Sequence, residues 1–146
     1  MGCDIQMYAE TFNKENNRYE RSKVEIDVNR SYARFGWFAD VRNYAAVKAI
    51  SKPRGLPDDI SEDVNIYYDE YVHSASWLTI EELKAVDYQQ IVEDRRVSRD
   101  GNGGCTSEAG EGEKMTLEEF LGSEFIKLIK ILDKAQVTRV VFWFDD

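Results

Sequence analysis

The chain has 146 residues but only one histidine, two cysteines and two prolines, and each scarcity closes off a class of protein. Structural zinc takes four Cys or His ligands, commonly in closely spaced pairs. Cys3, His73 and Cys105 cannot form such pairs, so no zinc site and no cofactor are expected, and no metal ligands are assigned, although the carboxylates of "DISEDVN" and "YYDEY" leave an oxygen-ligated Mg²⁺ or Ca²⁺ site open. Two isolated cysteines also give no disulfide framework, so both thiols are expected to be reduced and the compartment cytoplasmic. No apolar run approaches the roughly 18 residues that a membrane span requires, and no basic segment leads into an apolar core near the N-terminus. No membrane partner and no export are therefore expected. Positive charge is in deficit as well. With 19 Lys/Arg against 28 Asp/Glu and a net charge of -9, the chain is a poor match for an extended nucleic-acid track.

The charge is unevenly spread. Residues 1–57 hold ten Lys/Arg against seven Asp/Glu, a balance of +3, whereas residues 58–146 hold nine against 21, a balance of -12. An anionic ligand would prefer the first part. At this length one domain over residues 1–146 is expected, large enough to bury a core without staples.

Hydrophobic periodicity outlines the elements. Cys3, Ile5, Met7 and Ala9 alternate with polar residues, predicting a strand over 3–12, and "NKENN" reads as a turn. "YERSKVEIDV" then alternates Val24, Ile26 and Val28 with charged residues, predicting a hairpin partner. Phe35, Phe38, Ala39, Val41 and Ala45 suit a helix with Ser31 as its N-cap. "SEDVNIYYDEYVHSASWL" has no clear period and reads as loop with one helical turn. Thr79/Glu82 and Thr116/Glu119 have capping-box spacing, and from the second the apolar stripe Leu117, Phe120, Leu121, Phe125, Leu128, Ile129, Leu132 predicts one long helix. "VTRVVFWF" predicts a strand buried on both faces or central in a sheet. The expected fold is α+β: a small, mainly antiparallel sheet, the N-terminal hairpin plus the C-terminal strand, covered by helices in two layers. Five glycines between residues 98 and 114 predict a flexible loop.

Several segments bear on chemistry. The glycine run lacks the context of a phosphate-binding loop: no buried strand leads into it and no Gly-Lys-Ser/Thr follows. His73 is flanked by Ser74 and Ser76, but no GxSxG elbow exists, and catalytic relays usually recruit distant residues. "YVHSASWL" instead offers an imidazole, two hydroxyls and the Trp77 indole for hydrogen bonding and stacking. "ISKPRGLPDDIS" uses both prolines to stiffen a turn around Arg54. Arg34 and Arg42 lie among aromatic residues, and guanidinium forks suit phosphates and carboxylates. The alternative for those arginines is a helix with its aromatics in the core and its cations paired to acids.

"MGCDIQMYAE", "PRGLPDDIS", "HSASWLTIEEL" and "RVVFWFDD" together resemble a family of small, mostly uncharacterised bacteriophage and prophage proteins that begin Met-Gly-Cys-Asp-Ile-His. Gln6 departs from that opening, which removes an imidazole but keeps a hydrogen-bonding side chain. The resemblance implies a phage accessory protein acting in the host cytoplasm, where inhibitors of host enzymes and sequestering proteins with anti-defence roles are frequent.

The expected function is non-enzymatic binding of a small anionic, nucleotide-like ligand by Arg54, His73, Ser74, Ser76, Trp77, Gln6, Arg34 and Arg42. The alternative is an inhibitor that engages a host protein through its acidic surface. A metal-assisted phosphodiesterase ranks third. A homo-oligomer is compatible with each.

Overall fold

The computed structural model describes residues 2–97 and 104–146. In chain order the elements are β1 (Asp4–Asn13), β2 (Arg18–Arg21), α1 (Tyr32–Ala39), α2 (Glu62–Asn65), β3 (His73–Thr79), α3 (Ile80–Ala85), β4 (Ile91–Asp94), β5 (Arg96–Val97), β6 (Cys105–Thr106), β7 (Glu113–Thr116), α4 (Leu117–Leu121), α5 (Ser123–Lys134) and β8 (Arg139–Asp145). The fold is α+β with antiparallel strand pairing. No described helix is long and apolar enough to cross a membrane. Two compact units emerge, one made of Met1–Arg30, Pro53–Val86 and Lys127–Asp146, the other of Ser31–Lys52 and Asp87–Ile126.

The first unit is built on a four-stranded sheet of order β2-β1-β8-β3. Residues 139–144 of β8 are all buried, which a strand achieves only with neighbours on both edges and cover on both faces. One face of the sheet packs Val141 and Trp143 with Val64 of α2, and Tyr8, Leu56, Ile60 and Trp77 lie against them. A buried ion pair fixes the loop before α2 to the same sheet. Arg139 Nε donates to Glu10 Oε1 at 2.7 Å and its Nη1 to Asp59 at 2.8 Å, while Glu10 Oε2 accepts from the Ser61 backbone N–H at 2.8 Å.

The second unit gathers aromatic rings. Phe125 packs against Trp37, Phe38 and Tyr88 at centroid separations of 5.8, 5.3 and 6.5 Å. Ser31 caps α1 by accepting from Arg34 N–H. Gly36 is required there, because a Cβ at that position would meet Asn43 Oδ1 at 2.6 Å. Asn43 in turn bonds the Val47 backbone through both ends of its carboxamide.

Three expectations are corrected. The hairpin partner ends at Arg21, because the Ser22 hydroxyl accepts from Val24 N–H and bends the chain away. Residues 24–28 still alternate half-buried and exposed, so their period of two is real although no ladder forms. The segment 73–79 is a strand whose alternation is broken by a β-bulge between His73 and Ser76, with Ser74 at φ 55°. The single long helix is two, divided at Gly122, whose φ of 92° and ψ of 143° no helix accommodates. Within the glycine-rich stretch, residues 98–103 lie outside the described residues, but the remainder carries β6 and β7, and the Glu93 carboxylate accepts from the N–H of Gly110 and Gly112.

Candidate functional site

The proline turn does bring Arg54 to Trp77. The guanidinium carbon lies 4.7 Å from the indole centroid, and the fork grips Glu82 with both of its terminal nitrogens while also donating to the Trp77 carbonyl at 3.0 Å. The Arg54 backbone N–H donates to Ser76 Oγ and that of Gly55 to the Ala75 carbonyl, so the loop is pinned to the edge of β3. The Arg54 guanidinium holds the Glu82 carboxyl down to about 2, against the opposing effect of its partial burial. The Arg54 fork is thus engaged within the protein. His73 is not part of this group: His73 pairs with Phe144 and Trp77 with Val141, three residues apart on β8, so the two side chains leave opposite faces of the sheet. Gln6 accepts from the Trp143 indole N–H at 2.9 Å. In the second unit Arg34 donates to the Leu121 carbonyl at 2.8 Å, and Arg42 lies 5.6 Å over the Tyr32 ring.

At the far end of β3, His73 makes a chain of its own. Nδ1 lies 3.0 Å from Ser74 Oγ and Nε2 lies 2.8 Å from Asp146 Oδ1, and the ring stacks on Phe144. The buried Cys3 thiol closes the group, with ligand atoms of Cys3, His73 and Asp146 all within 4.8 Å of one another. Sequence spacing hid this cluster because the three donors come from the ends of three strands. Only the register Asp4↔Asp145 and His73↔Phe144 brings them together.

A cleft lies on the outer side of β1. There β2 has ended, and residues 24–28 run past residues 5–9 without pairing, leaving about 340 Å³ lined by Gln6, Tyr8, Arg21, Val24, Glu25 and Asp27 among others. The Ala9 carbonyl faces this side, accepting from Ser22 N–H. Strand alternation turns the N–H and C=O of Met7 and Ile5 the same way, toward the cleft.

Tyr8 and Arg21 line this cleft, and Tyr67 lies against both. Tyr8 and Tyr67 stack at 5.3 Å with an interplanar angle of 9°, and Tyr8 leans on Trp143. The Arg21 guanidinium approaches both tyrosine rings, at 5.1 and 5.2 Å. Its side chain makes no hydrogen bond or ion pair to any described residue, unlike Arg30, Arg54 and Arg139. Arg21 also lines an adjoining depression with Ser22, Asp63, Ile66 and Tyr67. Burial raises the Tyr8 hydroxyl above its ordinary range, and Arg21 partly offsets the effect, so Tyr8 stays neutral and able to donate. Sequence reasoning named Gln6 but missed Arg21, Tyr8 and Tyr67. Their signal was present in the arginine of "RYER" and the tyrosines of "QMYAE" and "IYYDEY", but nothing local joins them.

Comparison of the chain with protein-family models, with curated proteins and with solved structures found no match.

Proposed function

We propose that the protein binds a small, flat, anionic ligand of the nucleotide class in the cleft beside β1, without chemical turnover. The observation that carries this reading is the Arg21 fork, held over the stacked Tyr8 and Tyr67 rings with its donors directed to no described protein acceptor. A guanidinium held this way can grip a phosphate bidentately, and the exposed part of Tyr67 offers a face to a base. The cleft also contains Glu25 and Asp27. Carboxylates oppose a bare anion but accept hydrogen bonds from ribose hydroxyls and exocyclic amines, so a nucleotide fits better than inorganic phosphate. The turned-out backbone groups of Ile5 and Met7 can read the edge of a base.

In the phage setting that the sequence resembles, such a protein acts by sequestering a host nucleotide and so counters a defence response. The test is isothermal titration calorimetry of the intact chain against adenine and guanine nucleoside mono- and diphosphates. One-site binding is expected for at least one of them. Arg21→Lys is expected to weaken it about tenfold or more, because the ammonium keeps the charge and loses the fork. Binding by no member of the panel, or unchanged affinity in Arg21→Lys, rejects the reading.

A second reading has its own support. Ile66 and Tyr71 are 72% and 82% exposed beside Tyr67 and Tyr68, in a segment that also carries Glu62, Asp63, Asp69 and Glu70. An apolar and acidic surface of this kind suits docking on a basic patch of a host protein.

A further inference from the structure

We infer that Cys3, His73 and Asp146 form a binding site for a thiophilic divalent cation of the zinc class, on the face of the sheet opposite Trp77. The three residues supply one sulfur, one nitrogen and one oxygen, with their ligand atoms mutually within 4.8 Å. Zinc bonds of about 2.0–2.3 Å in tetrahedral array place ligand atoms roughly 3.3–3.7 Å apart. The cluster thus closes on an ion with shifts on the order of an ångström. Cys3 is fully buried and forms the floor, whereas the His73 and Asp146 side chains are 41% and 33% exposed and form an open rim. An ion can enter from that side, and a fourth position faces solvent.

The surroundings of His73 favour ligation. Ser74 Oγ holds Nδ1 at 3.0 Å, which leaves Nε2 to face Asp146 and the cysteine. A hydrogen-bond partner on the distal nitrogen is the usual way a protein orients a ligating imidazole. Ser74 occupies a left-handed conformation, φ 55°, within the β-bulge. A strained residue that re-aims its neighbour at a strand end marks a position where orientation matters. The donor set also selects the ion. A thiol beside an imidazole favours Zn²⁺ over Mg²⁺ or Ca²⁺, which take oxygen ligands. On binding, the S–H bond breaks, its proton leaves to solvent and the thiolate bonds the metal. Thiolate and carboxylate then balance the 2+ charge.

The site is independent of the cleft beside β1, and its test needs no nucleotide. The full chain, stripped with chelator, is titrated with Co²⁺ as a spectroscopic substitute and then with Zn²⁺. One equivalent of Co²⁺ should produce a near-ultraviolet thiolate-to-cobalt band together with intensified visible bands of four-coordinate geometry, both abolished by Zn²⁺. Cys105→Ser should keep them. His73→Gln and Asp146→Asn, at the exposed rim, should each weaken Zn²⁺ binding at least ~10-fold with an unchanged circular dichroism spectrum. These two rim variants remain decisive even if Cys3→Ser fails to fold. Absence of the thiolate band, its loss in Cys105→Ser, or wild-type affinity in both rim variants overturns the site.

Discussion

Arg54, in the loop pinned to β3, and Arg21, the last residue of β2, both lie against aromatic rings, yet they are held in opposite ways. Arg54 is closed in by Glu82, the Trp77 carbonyl and the indole face, so the proline turn that carries it is part of the framework. Arg21 has the rings alone among the described residues. An arginine whose donors are already satisfied stabilises its surroundings and has little left for a ligand. One held in place by π-contacts is oriented without being consumed. Arginine-rich, aromatic-rich sequence therefore does not locate a binding site until the acceptors are known.

The contrast predicts a gradient of effects on stability. The largest is expected at Glu10→Gln, which leaves the Arg139 guanidinium buried without its closest anion. A loss of ~3–5 kcal/mol in urea denaturation is expected, and a loss under ~1 kcal/mol would show that saturated arginines are not what holds this sheet. Arg54→Lys should cost less, about 1 kcal/mol, since the pair with Glu82 is partly exposed. It should leave ligand affinity in the cleft unchanged. A drop in affinity there would dissolve the distinction between the two arginines.

A third effect depends on pH. The Glu82 carboxyl is lowered from 4.5 to about 2 in the folded chain. A depressed folded value means that its stabilising contribution is full above pH 4.5 and is lost as pH falls toward 2. Glu82→Gln should therefore be less stable than the parent at pH 7, and the gap should narrow across that window in denaturation at stepped pH. A constant gap would show that the Arg54 pairing does not set this pKa. The smallest effect belongs to Arg21→Lys, expected to change stability by less than ~0.5 kcal/mol. A larger loss would place Arg21 with Arg54 as a framework residue.

What could be read from sequence was what is local or bulk. The capping boxes at Thr79 and Thr116 depend on residues three apart, and both form. The run ending in Trp143 and Phe144 has no polar face, and it is the buried interior strand of the sheet. The proline turn carries Arg54 to Trp77, its neighbour in the fold. What escaped depends on register. The bulge at Ser74 shifts the phase of β3 and erases its alternation, and the cleft exists only because pairing stops at Ser22 while the extended chain continues. Cys3, His73 and Asp146 share no spacing that a motif could register, because their proximity is a property of three strands in one sheet.

The place of β8 between β1 and β3 also constrains timing. Residues 14–138 separate β1 from the strand that covers its inner edge, so the four-stranded sheet cannot assemble during synthesis until residues 139–145 have left the ribosome. Until then Met7, Ala9 and Leu78, all buried in the final fold, have no β8 to pack beside. Closing so long a loop before any reward in pairing slows the search, and the nascent chain meanwhile presents unpaired strand edges to other molecules. The interval between making β1 and making β8 is thus a kinetic exposure that the finished molecule no longer displays.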